Sequence, residues 1–360
     1  MELTSTPLLP DGFKVPASRN EEPSRRLRRL LATKPYVFGP GVYDPFGAEL
    51  VMYHGFDAVY FSGYSFAIGH LGTTDMDIYS SVEIADGARR TVSALRKFQL
   101  TMAIGDPEKG VPPIHLEIPP VVVDMDAGYG NLFNVQRTID LYVRAGVAAA
   151  HLEDQVMPKR CGHMRGKELI SISEMTKKIE AGLKAKKDQD FIINARTDAI
   201  AVEDIAGTVK RVKAYSKAGA DMIYVDAIRG EDDIARAVEA AGDTPVNINM
   251  GFFIRQRPTS PLLPLKRLKE LGVARVSSPR MLTSAAISGM RKALEVMQQC
   301  MISGELADRP DLTASMEEIT ELFDYEKIAA LESAFSVEED LERKYRDKER
   351  SYVVRAGTKQ

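Results

Sequence analysis

One short stretch of the sequence, HLEDQVMPKRCGHMRGKEL at 151–169, concentrates residue types that could do chemistry. It carries an acidic residue, Glu153, and then a cysteine, Cys161, which follows Arg160 and precedes His163 by two positions. Positive neighbours lower the pKa of a thiol and make it a useful acid or base near neutral pH. The stretch therefore predicts a functional thiol. A structural cysteine in a basic surface loop is the alternative, and a loop that binds phosphate or carboxylate would also explain the bases.

A second signal is the series of polar residues that end short apolar runs. In VVVDMDAGYGN at 121–131, the spacing of Asp124 and Asp126 places both side chains on one face of a strand. Further polar groups end the other runs: Asp44, Ser62, Glu153, Arg196, Asp198, Asp226, Asn249 and Ser277. Buried carboxylates without cations repel one another and lose hydration, so we expect a divalent cation among them. Oxygen ligands without a histidine pair favour Mg²⁺, or Mn²⁺, over zinc. The alternative is a solvated acidic turn.

Eight such apolar runs alternate with helix-like segments, and this alternation predicts the fold. The runs are YVFGPGVYD, DAVYFSG, PPVVVDMD, AAAHLED, FIINARTD, MIYVDA, VNINM and ARVSSP, and helix-like segments include 83–97, 133–144, 172–187, 203–218 and 231–241. Nearly continuous apolar runs are typical of parallel strands buried on both faces. Eight alternations of strand and helix favour a (β/α)8 TIM-type barrel, whose catalytic groups lie at the carboxyl ends of the strands. A doubly wound open sheet is the alternative, but GPGVYD is a poor dinucleotide-binding turn.

The domain organisation follows from this alternation. We predict an N-terminal arm and short helix over 1–35, a barrel over 36–300 and a helical extension over 301–360. The extension has apolar residues at helical spacing: Ile319, Leu322, Phe323, Ile328, Leu331 and Phe335. An exposed apolar stripe of this kind is rare on a soluble monomer. We therefore expect the extension to pack on a neighbouring subunit, with packing on its own barrel as the alternative.

Composition excludes several classes of protein. The chain has 48 Lys and Arg against 51 Asp and Glu, and this balance argues against nucleic acid or an anionic membrane as a partner. No run of about 18 apolar residues is present, so no membrane span is predicted. Cys161 and Cys300 are too few for a disulfide framework, and the first residues lack a secretory pattern. The prediction is a cytoplasmic protein.

Five motifs in order resemble those of the isocitrate lyase/phosphoenolpyruvate mutase superfamily. They are YFSGY at 60–64, VVVDMDAGYGN at 121–131, HLEDQ at 151–155, KRCGH at 159–163 and ARTDA at 195–199. The resemblance covers roughly 36–300. Phosphonate-forming members generally lack the C-G-H triplet, so the resemblance favours the branch that cleaves carbon–carbon bonds.

The resemblance implies a set of residue roles. Mg²⁺ would be held by Asp124, Asp126 and Glu153, with Asp75 as a further metal residue. Asp75 and Asp226 both match acidic positions of the family that lie at the metal or behind its ligands. The substrate would be bound by Ser62, Gly63, Tyr64, Gly162, Arg196 and Asn249. Cys161 would protonate the carbanion that forms when the carbon–carbon bond breaks, and Arg160 and His163 would tune its thiol. Members of this family exchange C-terminal helices between subunits, which implies a homotetramer.

Different motifs of the chain resemble family members that act on different substrates. CGHMRGK, the segment 102–120 and the aromatic Tyr64 resemble isocitrate lyases, so the expected reaction is cleavage of isocitrate to glyoxylate and succinate in the glyoxylate cycle. KRCGH is the form common in 2-methylisocitrate lyases and oxaloacetate hydrolases, and 247–260 replaces the Asn-Cys-Ser-Pro-Ser loop of isocitrate lyases. Both enzymes stay open as alternatives. A barrel that only binds a dicarboxylate is the alternative outside enzymes.

Overall fold

The computed structural model describes residues 21–103, 114–162, 164–186, 190–252 and 260–323. Its strands are β1 Val37–Val42, β2 Val59–Phe61, β3 Val121–Asp124, β4 Ala149–Glu153, β5 Ile192–Thr197, β6 Met222–Val225, β7 Val246–Asn249 and β8 Arg275–Ser278. Each pairs in parallel with the next, and β8 pairs with β1, which closes the barrel. The predicted (β/α)8 fold is confirmed, and each of the eight apolar runs forms a strand.

The helices include all five helix-like segments predicted from the sequence. They are α1 Pro23–Thr33, α2 Pro45–Tyr53, α3 Gly63–Leu71, α4 Ser81–Met102, α5 Leu132–Ala145, α6 Ile172–Ala185, α7 Asp204–Lys217, α8 Glu231–Ala241, α9 Leu265–Glu270, α10 Met281–Ser303 and α11 Met316–Leu322. Local sequence signals explain where several helices begin or end. The Ser171 side chain accepts a hydrogen bond from the Glu174 amide and starts α6, and Gly146 ends α5 in the left-handed conformation.

Helix α1 packs against the amino-terminal end of the barrel. Its Leu27 and Leu30 are buried in one apolar cluster with Val37 of β1, Val122 of β3 and other strand residues. The helix therefore covers the end of the barrel opposite to the strand ends that carry the polar groups. This packing leaves the carboxyl ends of the strands as the face for chemistry.

The described residues fall into two compact units. The larger contains 21–97 and 116–308, and thus the barrel and α1. The smaller contains 98–103, 114–115 and 309–323, including the last turn of α4 and all of α11. Ser315 starts α11 with a reciprocal capping box that involves Glu318. Among the helices of the described residues, none combines the length and the apolar character that a bilayer span requires.

Helix α10, which belongs to the larger unit, has an exposed apolar face. Thr283, near its start, is the one residue of α10 that is buried. Five apolar side chains between 46% and 79% exposed follow at alternating spacings of three and four: Ile287, Met290, Leu294, Met297 and Met301. This spacing places them on one side of the helix. Of the predicted apolar residues of the C-terminal extension, Ile319 is exposed and Leu322 and Phe323 are half-buried, while Ile328, Leu331 and Phe335 lie outside the described residues.

We expect Leu27→Ala to lower the free energy of unfolding by about 2–5 kcal/mol, because it leaves a cavity between α1 and the barrel. Urea denaturation followed by circular dichroism measures this loss. Arg29→Ala, on the exposed side of the same helix, is the matched control and should change the free energy of unfolding by less than about 1 kcal/mol. Equal losses in the two variants would contradict the packing described for α1.

Candidate active site

The carboxyl ends of the strands gather an excess of buried acidic groups. Six buried carboxylates lie on this face or on the loops that cover it: Asp75, Asp124, Asp126, Glu153, Asp198 and Asp226. Three buried cations accompany them: Lys159, Lys167 and Arg196. Asp154, which directly follows Glu153 at the end of β4, turns away from this site, because successive side chains of an extended chain point to opposite faces. Asp154 instead accepts hydrogen bonds from Thr197 and Tyr215.

Asp124, the last residue of β3, is held by two donors. The Tyr60 hydroxyl lies 2.7 Å from its Oδ1, and the Gly63 amide lies 2.8 Å from its Oδ2. Tyr60 pairs in register with Val122, two residues before Asp124, so both side chains extend into the barrel interior. Burial raises the pKa of Asp124 to about 6, although Arg196 opposes the shift. This carboxylate is oriented and poorly solvated, as a cation ligand would be.

Lys159 joins two of the other carboxylates. Its Nζ lies 2.5 Å from Asp75 Oδ1 and 2.9 Å from Asp126 Oδ1. Burial acts to lower the pKa of Lys159, but the charges of Asp126 and Asp75 hold it well above its usual value. Burial also raises the pKa of Asp75, against the effect of Lys159. One ammonium group thus balances the charges of two carboxylates. Its ion pairs also fix the loop of Lys159 to the barrel.

Arg196 organises the opposite side of the face. It is paired in register with Glu153, and its Nε lies 3.1 Å from Glu153 Oε2 and 2.9 Å from Asp198 Oδ2. Its Nη2 lies 2.8 Å from Asp226 Oδ2. Burial raises the pKa of Glu153 well above its usual value, with Arg196 acting against it. These bonds to described residues use Nε and Nη2 of the guanidinium.

The loop of the KRCGH motif lies against this cluster. A Cβ on Gly162 would lie 1.8 Å from Asp226 Oδ2 and 2.7 Å from Arg196 Nη2, so this position requires glycine. The Lys167 ammonium donates to the Gly162 carbonyl and lies 3.4 Å from Asp198 Oδ1. Cys161 is buried beside it. The contacts of Gly162 and Lys167 therefore hold this loop, which carries Cys161, against the charged groups of the barrel.

Arg160 and His163 are the two residues predicted to tune the thiol. The Arg160 side chain is exposed, and its guanidinium donates to the Arg165 carbonyl. The Gln155 side-chain amide holds the Arg160 backbone by accepting from its N–H and donating to its carbonyl. His163 lies outside the described residues.

The three predicted substrate residues at the start of α3 make different contacts. Ser62 is buried and caps α3, where its side chain accepts from the Ser65 amide. A Cβ on Gly63 would lie 2.0 Å from the Tyr79 hydroxyl, so its amide can approach Asp124 only as glycine. Tyr64 lies under the guanidinium of Arg280, with Cζ 4.8 Å from the ring centroid. Arg280 adds a cation to this side of the barrel face.

A row of polar side chains ends the last three strands. The Asn249 amide donates to the Tyr224 hydroxyl, and the Ser277 hydroxyl donates to the Asn249 carbonyl oxygen. The Tyr224 hydroxyl lies 3.0 Å from Asp226 Oδ1. Tyr224 and Ser277 are buried, and their bonds fix the orientation of the half-buried Asn249 amide.

The carboxylates fit Mg²⁺ by their chemistry. Asp126 Oδ2 and Glu153 Oε1 are buried oxygens without a hydrogen-bond partner among the described residues. Oxygen donors of this kind are what Mg²⁺ prefers. Within the described part of the chain, no three acidic, histidine or cysteine side chains are already gathered in coordination geometry. We attribute this to the donors that hold Asp124 and to Lys159, which occupies Asp126 Oδ1.

The profile of the phosphoenolpyruvate phosphomutase family matches residues 27–298, which is most of the chain and all eight strands of the barrel. The chain belongs to this family. The superfamily resemblance seen in the motifs is thereby confirmed.

Relatives with assigned names agree with this membership. The chain is 34% identical to 2,3-dimethylmalate lyase of Eubacterium barkeri, over 86% of this chain and 97% of that protein. It is 33% identical to a probable 2-methylisocitrate lyase of Corynebacterium glutamicum, over 84% and 90% of the two chains. A solved oxaloacetate acetylhydrolase in complex with 3,3-difluorooxalacetate is similar at a TM-score of 0.73 and 28% identity, over 87% and 97% of the chains. This member of the phosphomutase family is an enzyme of the oxo-acid lyase type.

Sequence reasoning missed several residues of the family site. Lys159 stands two residues before the thiol in the KRCGH motif, yet its ammonium binds Asp75 and Asp126. Its place directly before the exposed Arg160 gives no signal of burial. Tyr60 and Tyr224, which donate to site carboxylates, read as ordinary apolar strand residues.

We expect Lys159→Met to lower the free energy of unfolding by about 3–5 kcal/mol in metal-free buffer, because it leaves two buried carboxylates without their cation. Urea denaturation in EDTA measures this loss. Lys177→Met, which removes an exposed lysine of α6 paired with Glu180, is the control and should be nearly neutral. A Lys159→Met protein as stable as the control would show that the ammonium does not hold the loop.

Proposed function

We propose that the chain is a Mg²⁺-dependent lyase that cleaves a carbon–carbon bond in a 2-methyl-2-hydroxy acid with two or three carboxylates, 2-methylisocitrate being the first candidate. The observation that carries the proposal is the set of buried, cation-deficient carboxylates beside Arg196 and beneath the Cys161 loop. Two of the relatives, 2,3-dimethylmalate lyase and the probable 2-methylisocitrate lyase, act by their names on acids that carry a methyl group at the hydroxyl carbon. Isocitrate, the substrate expected from the sequence, becomes an alternative.

The residues of the site suit the steps of such a cleavage. Bound Mg²⁺ would supply positive charge to the hydroxyl and carboxylate oxygens of the substrate. Arg196 binds a carboxylate through Nη1 while its other nitrogens stay on Glu153, Asp198 and Asp226. A carboxylate of the site takes the hydroxyl proton. The carbon–carbon bond then breaks to give the carbonyl of pyruvate and a succinate carbanion.

Cys161 completes the reaction in this proposal. Its thiol proton goes to the carbanion carbon, which yields succinate and leaves a thiolate that solvent reprotonates. Burial of the loop excludes water from the carbanion before this transfer. The contact of Gly162 with Asp226 and Arg196 sets the position of the thiol relative to the substrate.

A second candidate is hydrolysis of oxaloacetate to oxalate and acetate. Asn249, the half-buried member of the polar row, favours it, because a methyl group that packed there would lie against an amide. A compact, fully polar substrate would instead find hydrogen-bond partners. The similarity to a solved oxaloacetate acetylhydrolase points the same way.

The deciding experiment compares 2-methylisocitrate, 2,3-dimethylmalate, isocitrate and oxaloacetate under one condition, with products identified by mass spectrometry. We expect the highest kcat/KM for an acid that yields pyruvate, and loss of turnover in EDTA that added Mg²⁺ restores. Highest activity on oxaloacetate would establish the second candidate. Full turnover in EDTA, or no turnover of any of the four, would contradict the proposal.

We expect Cys161→Ser to lower kcat at least about 100-fold, because a serine hydroxyl is a far weaker acid than a thiol. Steady-state kinetics on the preferred substrate measures this change. Mg²⁺ binding, followed by calorimetry, should remain near the wild-type value because the cysteine is not a proposed ligand. Cys300→Ser is the matched control. A Cys161→Ser enzyme with near-full kcat would remove the thiol from the proton transfer.

We also propose that the chain forms a homotetramer in which the apolar face of α10 lies against another subunit. The support is the five exposed apolar side chains at heptad-like spacing, which resemble the seam of a helix pair. The exchange of C-terminal helices implied by the family resemblance would cover such a face.

We expect Leu294→Lys to reduce the mass measured by light scattering at micromolar concentration, because a charge in the centre of the seam opposes association. Gln299→Lys introduces the same charge on the other side of α10 and should leave the mass unchanged. A wild-type protein that runs as a monomer, or two variants with equal masses, would contradict the assembly.

A further inference from the structure

Arg275, the first residue of β8, is a fully buried cation in the barrel interior. Its Nη1 donates to Asn247 Oδ1 at 2.8 Å and lies 3.3 Å from His151 Nε2. Its Nε and Nη2 have no hydrogen-bond partner among the described residues, and no described carboxylate forms an ion pair with it. Burial lowers the pKa of Arg275 to about 10, so the guanidinium stays charged at neutral pH.

Stability does not explain this residue. The interior of a barrel of this type is usually filled by branched apolar side chains. A buried charge without a counter-charge loses hydration that its two neighbours do not replace, so an apolar residue of similar size would be at least as stable. A buried arginine that does not stabilise an otherwise regular barrel indicates a role in the site at the carboxyl ends of the strands.

A chain of contacts leads from Arg275 to the active face. Its guanidinium carbon lies 5.6 Å from the centroid of the Tyr60 ring, within the range of a cation–π interaction. The His151 ring, which Arg275 also contacts, stacks on the same tyrosine at 5.0 Å and 8°. The Tyr60 hydroxyl then donates to Asp124 Oδ1 at 2.7 Å. Two contacts thus fix the ring whose hydroxyl orients this carboxylate.

We propose that Arg275 is a positioning residue of the active site, which holds Tyr60 from inside the barrel and through it orients Asp124 for the cation. The inference rests on the proposed function, since it assigns Asp124 to the cation site. Arg275 touches neither substrate nor cation in this role. Its effect reaches the site through the tyrosine hydroxyl.

The test is a double-mutant cycle with Mn²⁺ binding as its readout, measured by electron paramagnetic resonance without substrate. The cycle combines Arg275→Gln, which removes the charge but keeps a donor for Asn247, with Tyr60→Phe, which removes the hydroxyl. We expect each single change to weaken Mn²⁺ binding about 10–100-fold, the range for partners that orient metal ligands. The double variant should be no weaker than the weaker single variant, because both changes act through one contact. Arg275→Lys should recover part of the affinity.

Arg267→Gln, an exposed arginine of α9 paired with Glu231, is the matched control and should bind Mn²⁺ like the wild type. If Arg275→Gln does not fold, Asn247→Ala replaces it in the cycle, because it removes the acceptor that holds Nη1. Wild-type affinity in the Arg275 or Asn247 variant, or losses that multiply in the double variant, would overturn the inference. A wild-type protein that binds no Mn²⁺ and turns over no tested substrate would instead refute the proposed function.

Discussion

The feature on which the rest of this structure depends is the shortage of positive charge among the buried carboxylates at the strand ends. Six of them share three buried cations, and two oxygens, on Asp126 and Glu153, have no hydrogen-bond partner among the described residues. In a poorly solvated site such an excess is costly unless a further cation binds. This excess of negative charge is the physical basis of the proposal that a divalent cation and a negatively charged substrate bind at the acidic face.

The barrel supplies the rigidity that this arrangement needs. Register pairs Glu153 with Arg196 at adjacent strand ends, so their ion pair follows from the sheet itself. Below them, aromatic and polar side chains in the interior hold the carboxylates by hydrogen bonds, as Tyr60 does for Asp124. Lys159 reaches the same cluster from the loop that also carries Cys161, so its ion pairs link that loop to the carboxylates.

Much of this could be predicted from the sequence, because parallel strands end in polar residues on one face. The eight strands, the longer amphipathic helices and the acidic groups follow from short-range patterns. Helices α2 and α3 were not among the segments singled out from the sequence, because they lack a clear polar face. Asp126 follows the end of β3 and reaches the site through a left-handed turn (φ 43°), so strand alternation does not describe it. The partners of Lys159 and the exposure of Arg160 depend on contacts distant in sequence, which no local pattern reveals.

The central claim is that a divalent cation binds among Asp124, Asp126 and Glu153. Crystals grown with Mn²⁺ and measured at a wavelength where manganese scatters anomalously test it most directly. The account predicts one strong anomalous peak per chain at this cluster, in contact with the carboxylate oxygens or one water away, and its loss in an Asp126→Asn crystal. A peak elsewhere, or full occupancy in the Asp126→Asn crystal, would contradict it.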